Sequence, residues 1–256
     1  MLAIEKNYLE PSVFKPENLL REARRQKTIP DCKIPRVCIL DPDGDIVDYL
    51  IKSKKASLNR CWSCYHTKMY AFEHDGMELG IIGSAVGASF AVLLAEQMFV
   101  SGCELLISMT SAGVINPPAK DIRFILINES LRDEGTSYHY LPPGEKAAIN
   151  PALRQQLQPL MNKPGLATAE GNSWTTDAPY RETKTSIEYA KNQGVTAVEM
   201  EASALYAFAK AHQKNVVCFA HLTNNMAQDT EDFEKGTENG SIDSLGVIYQ
   251  TIACLI

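Results

Sequence analysis

Met77-Glu-Leu-Gly-Ile-Ile-Gly-Ser-Ala-Val-Gly-Ala-Ser89 decides the fold class. An apolar run meets a turn of small residues, and a long apolar stretch then continues to Ser101. That order predicts a strand feeding directly into a helix. Just upstream, Met69 to Phe72 and the turn His74-Asp75-Gly76 predict that this strand is the second arm of a hairpin. Farther upstream, Arg36 to Leu40 reads as a buried strand, and Asp41-Pro-Asp-Gly-Asp45 as a tight turn into a helix. Downstream come a strand over Glu104 to Met109, a small-residue turn over Thr110 to Gly113, and a strand over Phe124 to Asn128. Helices are predicted over Pro151 to Leu160 and over Thr185 to Asn192, the latter ended by Gly194. A short strand, Val198 to Met200, runs into a helix over Ala202 to His212; a strand over Val216 to Leu222 and a helix over Ser241 to Ile256 close the chain. Strands alternating with helices predict one α/β domain with a largely parallel or mixed sheet. Residues 1–35 form a polar leader with prolines at 11, 16, 30 and 35 and a helix around Pro16 to Gln26, an arm lying on a domain of residues 36–256.

Bulk properties narrow the function. A net charge of −6 argues against a nucleic-acid backbone as partner, because phosphates need a basic surface. No apolar run is long enough to span a bilayer, and the N-terminus lacks the pattern of a signal peptide. Seven cysteines, several in apolar segments, are expected as reduced thiols of a cytoplasmic protein. Cys61-Trp-Ser-Cys64 stands without a second pair and is expected to be structural, with no metal site.

Chemistry concentrates in Ala197-Val-Glu199-Met200-Glu201-Ala202. Two carboxylates two residues apart project to one side of an extended backbone, at the start of a helix. A carboxylate there can accept hydrogen bonds from both hydroxyls of a cis-diol; the alternative is acidic residues placed simply to suit the helix dipole. The segment resembles the ribose-binding signature of the nucleoside phosphorylase and uridine phosphorylase family. Gly80-Ile-Ile-Gly83-Ser-Ala-Val-Gly87, Ser108-Met-Thr-Ser111-Ala-Gly113, Trp174-Thr-Thr-Asp-Ala-Pro-Tyr180 and Leu222-Thr-Asn224 resemble further family segments, in the same order.

The resemblance implies a central mixed, partly barrel-like sheet flanked by helices, and a homo-oligomer with shared active sites. It implies that Glu201 binds the ribose hydroxyls, Met200 packs on the sugar and Glu199 supports them. Asn224 would face the leaving nucleobase as the catalytic residue, Thr176 and Asp177 would lie on the base side, and Gly44, Ser111, His66 and Lys68 would receive the acceptor. An Asn donates hydrogen bonds to a departing base but cannot hand over a proton.

Family phosphorylases hold phosphate with arginines; here Asp45, Ser108 and the run Tyr65-His66-Thr67-Lys68 stand at the matching places. Three readings follow. The first is a nucleoside phosphorylase, using inorganic phosphate as co-substrate and no cofactor to give free base and pentose 1-phosphate. The second is a nucleosidase using water, with Asp41, Asp43 or Asp45 activating it. The third is a non-catalytic nucleoside-binding relative.

Overall fold

The structure, a computed structural model, describes residues 6–119, 121–225 and 235–256. After the leader helix α1 (Pro16–Lys27) come β1 (Val37–Asp41), α2 (Asp45–Lys52), β2 (Ala56–Leu58), the hairpin β3 (Tyr70–His74) and β4 (Met77–Gly83), and α3 (Ala88–Ser101). β5 (Leu105–Val114), β6 (Phe124–Asp133), β7 (Lys146–Ala148), α4 (Pro151–Gln156) and β8 (Thr168–Thr176) follow. The chain ends with α5 (Lys184–Asn192), β9 (Ala197–Glu199), α6 (Ala202–His212), β10 (Asn215–Asn225) and α7 (Ser241–Leu255).

β1 pairs in parallel with β4 and with β5, and all five of its residues are buried. A parallel strand covered on both faces needs such a continuous apolar run. β3 and then β2 extend this wing antiparallel, and the hairpin turn places Asp75 (φ 48°) and Gly76 (φ 77°) in the left-handed region that a two-residue turn demands. Past Ser108, β5 stops pairing with β1, and its Gly113 pairs with Val198 of β9. β10 runs parallel to β5 and antiparallel to β6; β6 is parallel to β8, and β8 to β9. These five strands therefore close on themselves, and the sheet is mixed and partly barrel-like, flanked by helices.

Four segments differ from their sequence reading. Thr110 to Gly113 is no turn but the continuation of β5, because β9 and β10 both pair with it there. β6 runs on from Asn128 to Asp133, paired with β7 and β8. The helix expected to Leu160 ends at Gln156, and a 3-10 turn, Gln158–Asn162, takes over at Pro159, which has no N–H to continue the ladder. β8 is a full strand, where the sequence predicts only a loop from Trp174 onward.

α1 packs across the apolar helix α3, burying Leu20 and Ala23. The leader is also tied down chemically, since Lys27 donates to the carbonyls of Ser63 and Cys64 and Cys32 forms a disulfide with Cys61. This corrects the expectation of seven reduced thiols. The leader contacts residues 61–65 and brings the two Cα atoms to 5.4 Å, while Cys64, the other half of the CxxC pair, is a buried free thiol. Closing a 29-residue loop is worth about 3.6 kcal/mol in chain entropy. Reduction with a dithiol, or Cys32→Ser, is expected to lower the unfolding temperature and deprotect α1 in hydrogen exchange. Unchanged protection of α1 after reduction contradicts the tether.

Candidate active site

The carboxyl ends of β1, β4 and β5 converge with the β9–α6 junction, the place where open α/β sheets leave a crevice. Two glycines allow this approach. A Cβ on Gly83 would stand 3.1 Å from the Cα of Gly44 and 3.0 Å from a Val47 methyl, and Gly44 itself has φ 88°. The Asp41–Asp45 turn can therefore lie directly against the end of β4.

A cavity of about 500 Å³ opens here, and Glu199, Met200 and Glu201 all line it. The two glutamates do different work. Glu199 is buried and fully bonded. Its Oε1 accepts from the hydroxyls of Ser173 (2.9 Å) and Thr175 (2.5 Å), and its Oε2 accepts the N–H groups of Glu201 and Ala202, both at 2.7 Å. It caps α6 and fixes the backbone that carries Glu201. The helix-dipole reading thus describes Glu199, while its support of the site follows from the same bonds.

Glu201 is 1% exposed, and its Oε1 accepts the N–H of Gly87 at 2.7 Å. Its Oε2 is buried without a hydrogen bond. Burial, then the nearby Glu199 carboxylate, push the Glu201 carboxyl up to about 8; the Gly87 N–H offsets part of that. A buried carboxyl oxygen left unbonded is costly, and a ligand hydroxyl would satisfy it.

The sign of the resulting pH dependence is fixed. Glu201 at about 8 and buried Asp41 at about 7 both titrate above their unfolded values. Between about pH 4 and about pH 8 the folded chain holds protons that the unfolded chain releases, so these groups lower stability as pH rises through that window. Glu201→Gln is expected to match the wild type at about pH 4 and to be more stable by on the order of 4 kcal/mol at about pH 8.5. Equal stabilities at both pH values in denaturant titrations rule out a strained carboxyl at this position.

Opposite this junction, Ser111 donates its N–H (2.9 Å) and its hydroxyl (3.0 Å) to the two carboxylate oxygens of Asp43. Asp43 lines the cavity and also meets Lys235 at 3.4 Å, although that ammonium is closer to Asp45, at 2.5 Å. Ser111, expected to hold the acceptor, has both donors engaged by a carboxylate.

The other expected acceptor residues lie elsewhere. Gly44, His66 and Lys68 line a separate cavity of about 580 Å³ with Lys27 and Ser84. On the base side, neither Thr176 nor Asp177 lines the Glu201 cavity: the Thr176 hydroxyl accepts the N–H of Ala178, and the Asp177 carboxylate accepts the N–H of Gly135. Pro179 and Tyr180, from the 3-10 turn that follows β8, and Glu182, directly after it, line it instead. Asn224 lies near the end of β10, paired with Gly113, and its side chain falls outside the described residues. Among the described residues, no group of three or more His, Cys, Asp or Glu could hold a metal ion, and no helix is long and apolar enough to cross a membrane.

Residues 36–253 match the family model described as the phosphorylase superfamily. The chain belongs to that superfamily. An uncharacterized protein of Acanthamoeba polyphaga mimivirus is 30% identical over 163 residues, which cover 64% of this chain and 61% of that protein. The chain thus spans about three-fifths of that relative's length. A DeoD-type purine nucleoside phosphorylase of Streptococcus pyogenes is 24% identical over 64% of this chain and 70% of its own. Among solved structures, the uridine phosphorylase of Vibrio fischeri shares the superfamily fold, with a TM-score of 0.72 at 17% identity over 87% of this chain and 91% of that one.

Proposed function

We propose that this chain cleaves the N-glycosidic bond of a nucleoside, with Glu201 holding the ribose hydroxyls, Met200 packing on the sugar and water as the acceptor. The observation that carries the sugar assignment is the buried, unbonded Oε2 of Glu201 on a cavity wall. Superfamily membership and the purine nucleoside phosphorylases among the relatives support the substrate class.

The choice of water rests on Asp43. A phosphate dianion needs the Ser111 donors that Asp43 holds, and placing it about 4 Å from that carboxylate costs on the order of 4 kcal/mol per charge at the effective dielectric of a protein surface. Lys235, shared with Asp45, offsets only part of that, and no arginine lines the cavity among the described residues. For water the same arrangement is favourable: Asp43 accepts a proton, and Ser111 and Lys235 steady the carboxylate.

Phosphorolysis is the second reading. It is favoured by the activity for which the purine nucleoside phosphorylase relatives are named, and it requires Asp43 to swing off Ser111. A panel of purine and pyrimidine nucleosides, incubated with and without phosphate, tests both. Release of free base without phosphate supports water, release only with phosphate supports the second reading, and no release with any nucleoside overturns the proposal.

A further inference from the structure

Glu182 lines the same cavity as Asp43 and Glu201, directly after the 3-10 turn Pro179–Arg181, and the roles assigned so far leave it idle. Its carboxyl is half-buried and makes no hydrogen bond or ion pair with any other described residue. A carboxyl partly withdrawn from water and unpaired within the described protein can meet a ligand, and the residue lines the cavity. The other carboxyls there are committed. Glu199 is bonded through both oxygens, Asp43 faces Ser111, and Glu201 is tied to Gly87 beside the sugar signature.

Cleavage leaves an electron pair on the departing nucleobase, and something must meet it. The amide of Asn224 has no proton to give. Resting on the reading that this cavity cleaves nucleosides, we infer that Glu182 is the general acid that protonates the leaving nucleobase.

As the C1′–N bond breaks, its electron pair moves to the base nitrogen and the Glu182 proton moves to the nucleobase. The oxygen of water bonds to C1′ and its proton passes to Asp43. The net change is nucleoside plus water to free base plus ribose, and solvent returns the proton from Asp43 to Glu182. The substrates implied are nucleosides whose base departs neutral after protonation, rather than as an anion.

The acid has the right affinity for its proton. Burial alone pushes the Glu182 carboxyl up to about 7. Asp43, Glu199, Glu201 and the Tyr180 phenol also face the cavity, and Arg181 and Lys184 flank it along the chain, but none of them adds to that shift. A sizeable fraction is therefore protonated near neutrality, the condition for a useful acid.

The test compares kcat/KM for a nucleoside with kcat/KM for 4-nitrophenyl β-D-riboside, whose phenolate leaves without a proton, in wild type and Glu182→Gln from about pH 5 to about pH 9. The variant is expected to lose about 100-fold on the nucleoside and less than about threefold on the aryl riboside. The wild-type decline on the nucleoside above about pH 7 should vanish with it. Retained aryl riboside cleavage shows that the variant is folded. Equal losses on the two substrates, or no loss on either, overturn the general-acid assignment and leave the nucleoside reading standing. A wild type that cleaves neither substrate overturns both.

Discussion

Asp43→Asn is expected to lower the rate of base release about 1000-fold with little change in KM. The variant keeps an oxygen to accept from Ser111 and is nearly isosteric, so the cavity should keep its shape. What it loses is the ability to take a proton from water, and general-base catalysis contributes about 10²–10⁴-fold. Asp43→Ala goes further, because it frees both Ser111 donors now occupied at 2.9 and 3.0 Å. That variant should bind inorganic phosphate more tightly than the wild type, as read by calorimetry. Full activity in Asp43→Asn, with phosphate affinity unmoved in Asp43→Ala, removes Asp43 from the mechanism.

Glu201→Ala is expected to lower kcat/KM about 100-fold or more. The carboxyl serves both hydroxyls of a diol, and each hydrogen bond contributes about 1 kcal/mol, with more lost where a buried partner is left unpaired. The specificity of the effect is its test. A 2′,3′-dideoxynucleoside has no hydroxyls to lose, so wild type and variant should cleave it at similar, low efficiency. Glu201→Ala also leaves the Gly87 N–H without its partner, so the unfolding curve of the variant is measured alongside its activity. A penalty of the same size on both substrates means that Glu201 acts on something other than the ribose hydroxyls.

The parallel core was readable because buried strands and helices leave apolar runs of distinct length. Val37 to Leu40 and Ala88 to Ser101 need no tertiary information to be recognised. β8 was hidden for the opposite reason. Thr168-Ala-Glu-Gly-Asn-Ser-Trp-Thr-Thr176 has no apolar alternation, because Ser173 and Thr175 face the Glu199 carboxylate instead of a hydrocarbon core. Its polar side chains are the signature of the site rather than of the strand. The small residues of Thr110 to Gly113 suggest a turn in isolation, but pairing with β9 and β10 holds them extended.

The site divides the same way. Glu199, Met200 and Glu201 are adjacent in the chain and were visible together, whereas the Asp43–Ser111 contact joins residues 68 positions apart and depends on the close passage of Gly44 and Gly83. Glu182 gave no signal, because only the 3-10 turn after β8 brings it to the cavity.

The most direct test identifies the sugar product. A nucleoside is cleaved in ¹⁸O-labelled water containing inorganic phosphate, and the products are read by mass spectrometry and phosphorus NMR. The structure predicts free ribose carrying ¹⁸O at C1 and no pentose 1-phosphate. Pentose 1-phosphate without labelled ribose contradicts the assignment of water and shows that Asp43 yields Ser111 to phosphate.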